Sequence, residues 1–181
     1  MSKIASAFNL PNSNKTRPKN KNPLVSIVLP AYNEEKCIGV CIESLLNQSY
    51  KPVEIFIVDD ESKDKTVEII KKYPVKLLKQ DHSGPGAAWN LGMKYAKGEI
   101  LMFWATDHIY GKDYIKDLAT PIINKECVRT LHLKEKIANK EKLWARAWGE
   151  RDYRDREKEG TNTASLTLRK IYEKAGGFDP S

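Results

Sequence analysis

Acidic residues in this 181-residue chain gather at four places, each just after an apolar run. Tyr32-Asn33-Glu34-Glu35 follows the first run, Asp59-Asp60-Glu61 the second, Asp81-His82 the third and Thr106-Asp107-His108 the fourth. Any one set is explained by turn and capping acids that face solvent. Four sets on one edge would form an acidic mouth, where like charges raise one another's pKa unless a cation sits between them. Hard carboxylate oxygens suit Mg2+ or Mn2+, and such an ion can bridge to a diphosphate. The chemistry these residues point to is a metal–nucleotide site.

The elements that position them are legible in the apolar pattern. Residues 24–29 (LVSIVL) read as a buried strand stopped by Pro30, and Ile38, Cys41, Ile42, Leu45 and Leu46 then share one helical face. Residues 53–58 (VEIFIV) form a second strand, rich in β-branched residues. Ser62 is placed to cap a helix carrying Val67, Ile70 and Tyr73 as far as Pro74. A third strand over 75–79 is interrupted by Lys76 and Lys79; Ser83-Gly84-Pro85-Gly86 then leads into a helix that runs to Lys97. Residues 99–104 (EILMFW) are the most apolar strand, followed by a helix over 113–119 with Pro121 near its end. Strands alternating with helices every ~25 residues imply βαβ units, hence an α/β, mostly parallel sheet flanked by helices. Such sheets bind ligands outside the carboxyl ends of their strands, where the four acidic sets fall. From Cys127 the rhythm breaks: 127–133 reads as a strand, 140–159 as a charged helix and 164–168 as another strand.

Several function classes are excluded or disfavoured. There is no GxxxxGK[ST], so the chain is not a P-loop enzyme. Gly84-Pro85-Gly86 has part of a dinucleotide fingerprint, but a Rossmann oxidoreductase would place glycines where Ala31-Tyr32-Asn33 stand. The longest apolar run, 100–105, is far short of a membrane span. Five of the seven excess positive charges lie in residues 1–23, at Lys3, Lys15, Arg17, Lys19 and Lys21, so the remainder lacks the basic surplus that nucleic acid requires. That head has no signal-peptide core; it reads as a disordered basic tail or as a tether to an anionic surface. Cys37, Cys41 and Cys127 make an odd count without framework spacing, as expected of packed thiols in a reducing compartment. The expected location is the cytoplasm, at the inner membrane face if the tail is a tether.

Read in order, VSIVLPAYNE (25–34), IVDDESKD (57–64), GPGAAWNLG (84–92), AKGE (96–99) and AGGFD (175–179) closely resemble the motifs of family 2 glycosyltransferases with the GT-A fold. The resemblance implies that Pro30, Ala31, Tyr32 and Glu34 line a nucleobase pocket and that Asp59 and Asp60 hold the base or ribose. It places Gly86, Asn90 and Thr106 among the nucleotide-sugar contacts. Asp107 matches the last acid of the metal-binding DxD motif, with His108 either a second ligand or a loop histidine facing solvent. Inverting transfer of a sugar from a nucleoside-diphosphate donor to a hydroxyl of a glycan or lipid-linked acceptor is the implied reaction, with Mg2+ or Mn2+ as cofactor. On this reading residues 24–126 are the donor half and 127–181 an incomplete acceptor-side half of the same domain.

Three departures qualify the match. Ala105 stands where the first acid of DxD usually lies, and Trp89 where an arginine usually precedes the asparagine. The family's catalytic base normally follows the AGGFD segment, so it is expected beyond Ser181, with Asp179 the fallback. These departures keep a second reading open, a non-catalytic nucleotide-sugar-binding remnant or regulatory subunit. A nucleotidyltransferase is disfavoured because the first loop lacks a Gly/Lys/Arg-rich phosphate grip. Trp144 and Trp148, one turn apart, suit a packed helix face or a sugar-stacking platform. A second copy of the chain and a membrane surface are the further partners left open; nucleic acid is not expected.

Overall fold

The computed structural model describes residues 22–131, 136–137 and 165–179. The basic tail up to residue 21, the 140–159 helix with Trp144 and Trp148, and Ser181 lie outside the described residues.

The first strand, β1 (Val25–Ala31), is followed by α1 (Ile38–Leu46), β2 (Val53–Asp59), α2 (Thr66–Ile70), β3 (Lys76–Lys79) and α3 (Gly84–Tyr95). Next come β4 (Ile100–Phe103), β5 (His108–Ile109), α4 (Tyr114–Ile123), β6 (Arg129–Leu131), β7 (Lys136–Ile137), β8 (Ser165–Leu168) and α5 (Arg169–Ala175). Six strands form one sheet in the order β3-β2-β1-β4-β8-β6, and β5 pairs with β7 apart from it. β3, β2, β1 and β4 are mutually parallel, whereas β8 runs antiparallel to both β4 and β6. The sheet is mixed and mostly parallel.

Both faces of the central strands are buried, which is why they read as continuous apolar runs. Ile27 and Leu29 of β1, Ile55 and Ile57 of β2, and Ile100 and Met102 of β4 pack with Ile38, Cys41, Ile42 and Leu45 of α1 and Ile115, Leu118 and Ile122 of α4. The alternate residues Val28, Phe56, Val58, Leu101 and Phe103 face Ala88 and Met93 of α3. Closest approach falls at Gly92, where an added Cβ would stand 2.3 Å from a methyl of Val28. Gly92 thus lets α3 lie directly on β1.

Ser62 does not cap α2: its Oγ accepts a hydrogen bond from Asn33 N, and Asp64 instead receives those of Thr66 N and Oγ1. α4 runs through Pro121 to Ile123, because burying Ile122 alongside Ile115 and Leu118 outweighs the one N–H that proline lacks near the helix end. The strand expected over 127–133 is β6, Arg129–Leu131.

Candidate active site

The polar ends of β1, β2 and β4 lie at one edge of the sheet because these strands run parallel. Chain order reverses between β1 and β4, so the loops leaving these two strands diverge there and leave a crevice. Thr106 spans the strands beneath it, its hydroxyl donating to the Pro30 carbonyl at 3.2 Å. Thr106 and Ala31 are both buried.

Side chains from each loop satisfy the backbone of the other. Asn33 N donates to Ser62 Oγ, Glu34 N to Thr66 Oγ1 and Glu35 N to Asp64 Oδ2. In return Lys63 N donates to Asn33 Oδ1 and Lys65 N to Glu35 Oε2. Asn33 adopts φ 52°, a left-handed conformation that asparagine tolerates well. Asp59 is buried and accepts from Ser62 N at 3.3 Å. The loops after β1 and β2 are one hydrogen-bonded unit.

Asp60 organises the loop after β3. Its Oδ1 accepts from Gln80 Nε2 at 2.7 Å and Ser83 N at 2.8 Å, and its Oδ2 accepts from Gly84 N at 3.1 Å. His82 Nδ1 lies 3.0 Å from Oδ2. Burial alone would raise the Asp60 pKa; these hydrogen bonds and the attraction of His82 together outweigh it and hold the carboxyl below its ordinary range. The Tyr32 ring, 44% exposed, lies 4.4 Å from the His82 ring. Tyr32, His82 and Asp60 therefore make one aromatic and acidic wall, with Gly86 in the first turn of α3 behind it. Gln80 is a member that the sequence did not reveal, since only the fold brings it to Asp60.

Asp107 behaves differently. Both its oxygens are buried and accept no hydrogen bond from the described residues, and His108 Nδ1 stands 2.7 Å from Oδ1 without hydrogen-bond geometry. Burying a polar group unsatisfied costs about 1–3 kcal/mol, and more for a charge. Its field is felt at Cys41, whose thiol is pushed up by burial first and then by Asp107 and Glu34. Glu34 accepts from Cys37 Sγ at 2.9 Å. His108 is not a solvent-facing histidine: it is 5% exposed, its ring 5.3 Å from that of Trp104.

A buried carboxylate without a hydrogen bond from the described residues, and with an imidazole nitrogen 2.7 Å away, fits a divalent cation. Among the described residues no group of three or more His, Cys, Asp or Glu could hold one. The donor set thus suits an ion with few protein ligands, completed by phosphate and water. At the position before Asp107's threonine, the Ala105 carbonyl accepts from Tyr110 Oη at 3.0 Å.

Asn90 and Trp89 face the chain's last described segment. Asn90 bonds to Phe178 and Tyr172, and the Trp89 ring lies 4.8 Å from that of Phe178. Asp179 is exposed at the end of this segment. No helix of the described residues is long and apolar enough to cross a membrane.

Comparison with known proteins bears on the family and the fold. The chain is 36% identical over 114 residues to an uncharacterized glycosyltransferase of Haemophilus influenzae, covering 60% of this chain and 46% of that one. It is also 36% identical over 102 residues to the poly(ribitol-phosphate) beta-N-acetylglucosaminyltransferase TarS of Staphylococcus aureus, covering 52% of this chain and 18% of TarS. The chain thus spans less than half the length of these relatives. The structure of TarS 1–349 with UDP-GlcNAc superposes with a TM-score of 0.58 at 30% identity, covering 64% of this chain and 36% of that one. A Pyrobaculum calidifontis mannosyltransferase in complex with GDP-Man and Mn2+ has a TM-score of 0.69 over 89% of this chain and 49% of its own, its 18% identity bearing on the fold alone. The fold is GT-A. The model of glycosyl transferase family 2 matches residues 26–175, and the chain belongs to that family.

Proposed function

We propose that the chain carries the donor site of an inverting glycosyltransferase that takes a nucleoside-diphosphate sugar with Mn2+ or Mg2+ and transfers its sugar to an acceptor hydroxyl. The observation that carries this reading is the Asp107 carboxylate, buried in the loop between β4 and β5 and without a hydrogen bond from the described residues. Tyr32 offers an exposed ring to the base, beside His82. Asp60 fixes the loop that opens α3 and keeps its negative charge there at neutral pH. Asp107 and His108 would hold the metal, which as a Lewis acid neutralises the charge that builds on the departing diphosphate. A glycan or lipid-linked hydroxyl is the proposed acceptor, deprotonated by a carboxylate as it attacks. Asp179 is the fallback for that base within this chain.

A second reading, binding without turnover, is favoured by Ala105 and Trp89, which put a methyl group and an indole where the family usually has an acid and a cation.

Calorimetric titration with UDP-, GDP- and dTDP-sugars, with and without Mn2+, tests the proposal. Metal-dependent binding is expected, weakened at least tenfold in Asp107→Ala. Absence of binding to every donor in the presence of Mn2+ would defeat it. Consumption of donor with an acceptor panel separates transfer from binding alone.

A further inference from the structure

Helix α3 touches two different parts of the site. At its start, the amides of Ser83 and Gly84 donate to Asp60. Two turns later, Asn90 reaches the segment that ends the described chain. Its Oδ1 accepts from Phe178 N at 2.9 Å and from Tyr172 Oη at 2.8 Å, while its Nδ2 donates to Phe178 O at 2.8 Å. Three of the four hydrogen-bonding positions of an asparagine amide are thus committed to residues more than 80 positions away. A single side chain holds both the N–H and the C=O of Phe178, as a partner strand would.

The turn is shaped to receive it. Gly176 and Gly177 have φ of +82° and +90°, and a Cβ at Gly177 would stand 3.0 Å from Asn90 Oδ1. Only bare backbone comes this close. The Phe178 ring is then boxed by Trp89 and Phe103, each with its centroid 4.8 Å away, and by Tyr172 at 5.7 Å. Gly92 seats the same helix directly on β1. Trp89 belongs to this box.

We propose that Asn90 is a positioning residue: it latches the 176–179 turn to α3, so that the acceptor side of the site is held at a fixed distance from Asp60, and it does not hold the donor. The assignment of sides rests on the donor reading above; the latch itself does not. Asn90 is suited to the task because it accepts and donates at once. Aspartate keeps the acceptor oxygen for Phe178 N and Tyr172 Oη but loses the donor to Phe178 O.

The test compares the full chain with Asn90→Ala and Asn90→Asp, reading amide hydrogen exchange over 171–179 and affinity for UDP and GDP with Mn2+. In Asn90→Ala, exchange at Phe178 is expected to speed up at least tenfold while the amides of α3 keep their protection. Asn90→Asp should restore part of that protection, and nucleotide affinity should stay within twofold in both. Unchanged exchange at Phe178 in Asn90→Ala would overturn the latch. So would a tenfold loss of nucleotide affinity, which would return Asn90 to the donor site. Should Asn90→Ala fail to fold, Asn90→Asp reads the same two quantities, with intermediate exchange expected and wild-type exchange refuting. If the wild-type chain binds no nucleotide, the donor reading fails and the exchange result still decides the latch.

Discussion

Replacing Gly92 by alanine puts a methyl carbon 2.3 Å from Cγ1 of Val28, 3.2 Å from Cγ2 and 3.3 Å from Cβ. Ordinary contacts begin at 3.4 Å, so the nearest pair overlaps by about 1 Å. Val28 is fully buried in the middle of β1, between two parallel partners, and cannot retreat. α3 must lift instead, at a cost of about 1–3 kcal/mol for an overpacked core. Alanine's better helix propensity returns about 1 kcal/mol. The expected net loss is up to about 2 kcal/mol, which lowers a urea midpoint by up to roughly 1 M if the denaturant slope is about 2 kcal/mol/M. Val28→Ala alone should also destabilise, by about 1–3 kcal/mol, through the cavity it leaves. Combined, the two changes should cost less than their sum by at least about 1 kcal/mol, since the small side chain makes room for the added methyl. Urea unfolding of the four proteins measures this. A Gly92→Ala chain more stable than the wild type, or strict additivity, would refute the close packing of α3 on β1.

Two further outcomes are expected. Burial would raise the pKa of Glu54, but hydrogen bonds from Lys76 Nζ, Ser26 Oγ and Lys97 N outweigh it and hold the carboxyl low, as similar contacts do for Asp60 and Asp64. A folded-state value below the unfolded one stabilises the chain above the ordinary carboxylate value, about 4. That contribution is lost as the pH falls through the lowered folded values. Urea midpoints measured from pH 7 to 3 should therefore fall less steeply for Glu54→Gln than for the wild type, and identical slopes would contradict the assignment. At the mouth, Tyr32→Ala should weaken nucleotide binding about tenfold while Tyr32→Phe leaves it near the wild-type value, since the ring and not the hydroxyl supplies the face for the base. Calorimetry with UDP and GDP decides it, and equal affinities for all three proteins would remove Tyr32 from the base contact.

β1, β2 and β4 were legible because each is a mostly apolar run between turn residues, and β3, interrupted by Lys76 and Lys79, from its place in the alternation of strands and helices. Their carboxyl-end acids could be located from topology alone. What each acid does was less legible. Asp60 looked like a ligand-facing carboxylate, yet its oxygens are engaged by Gln80, Ser83, Gly84 and His82, none of which forms a local pattern with it. Asn90, read with the donor contacts, bonds instead to a turn far along the chain. Ser62 has the right type for a helix cap, but Asn33 N claims its hydroxyl. β5 was missed because two residues carry no periodic signal, and α5 because its seven residues bury no side chain fully. Local pattern identified strands and helices; contacts between distant segments decided the roles.

The place of β8 bears on how the chain is made. β4 is the most apolar strand of the sheet, and β8, its partner on the outer side, is synthesised some 60 residues after it. At ribosomal speeds of about 5–20 residues per second, that edge stays open for roughly 3–12 s. During that interval its unpaired N–H and C=O groups offer a template to any extended apolar segment nearby. Holding nascent chains apart until β8 arrives should matter more for the yield of this protein than the speed at which its helices form.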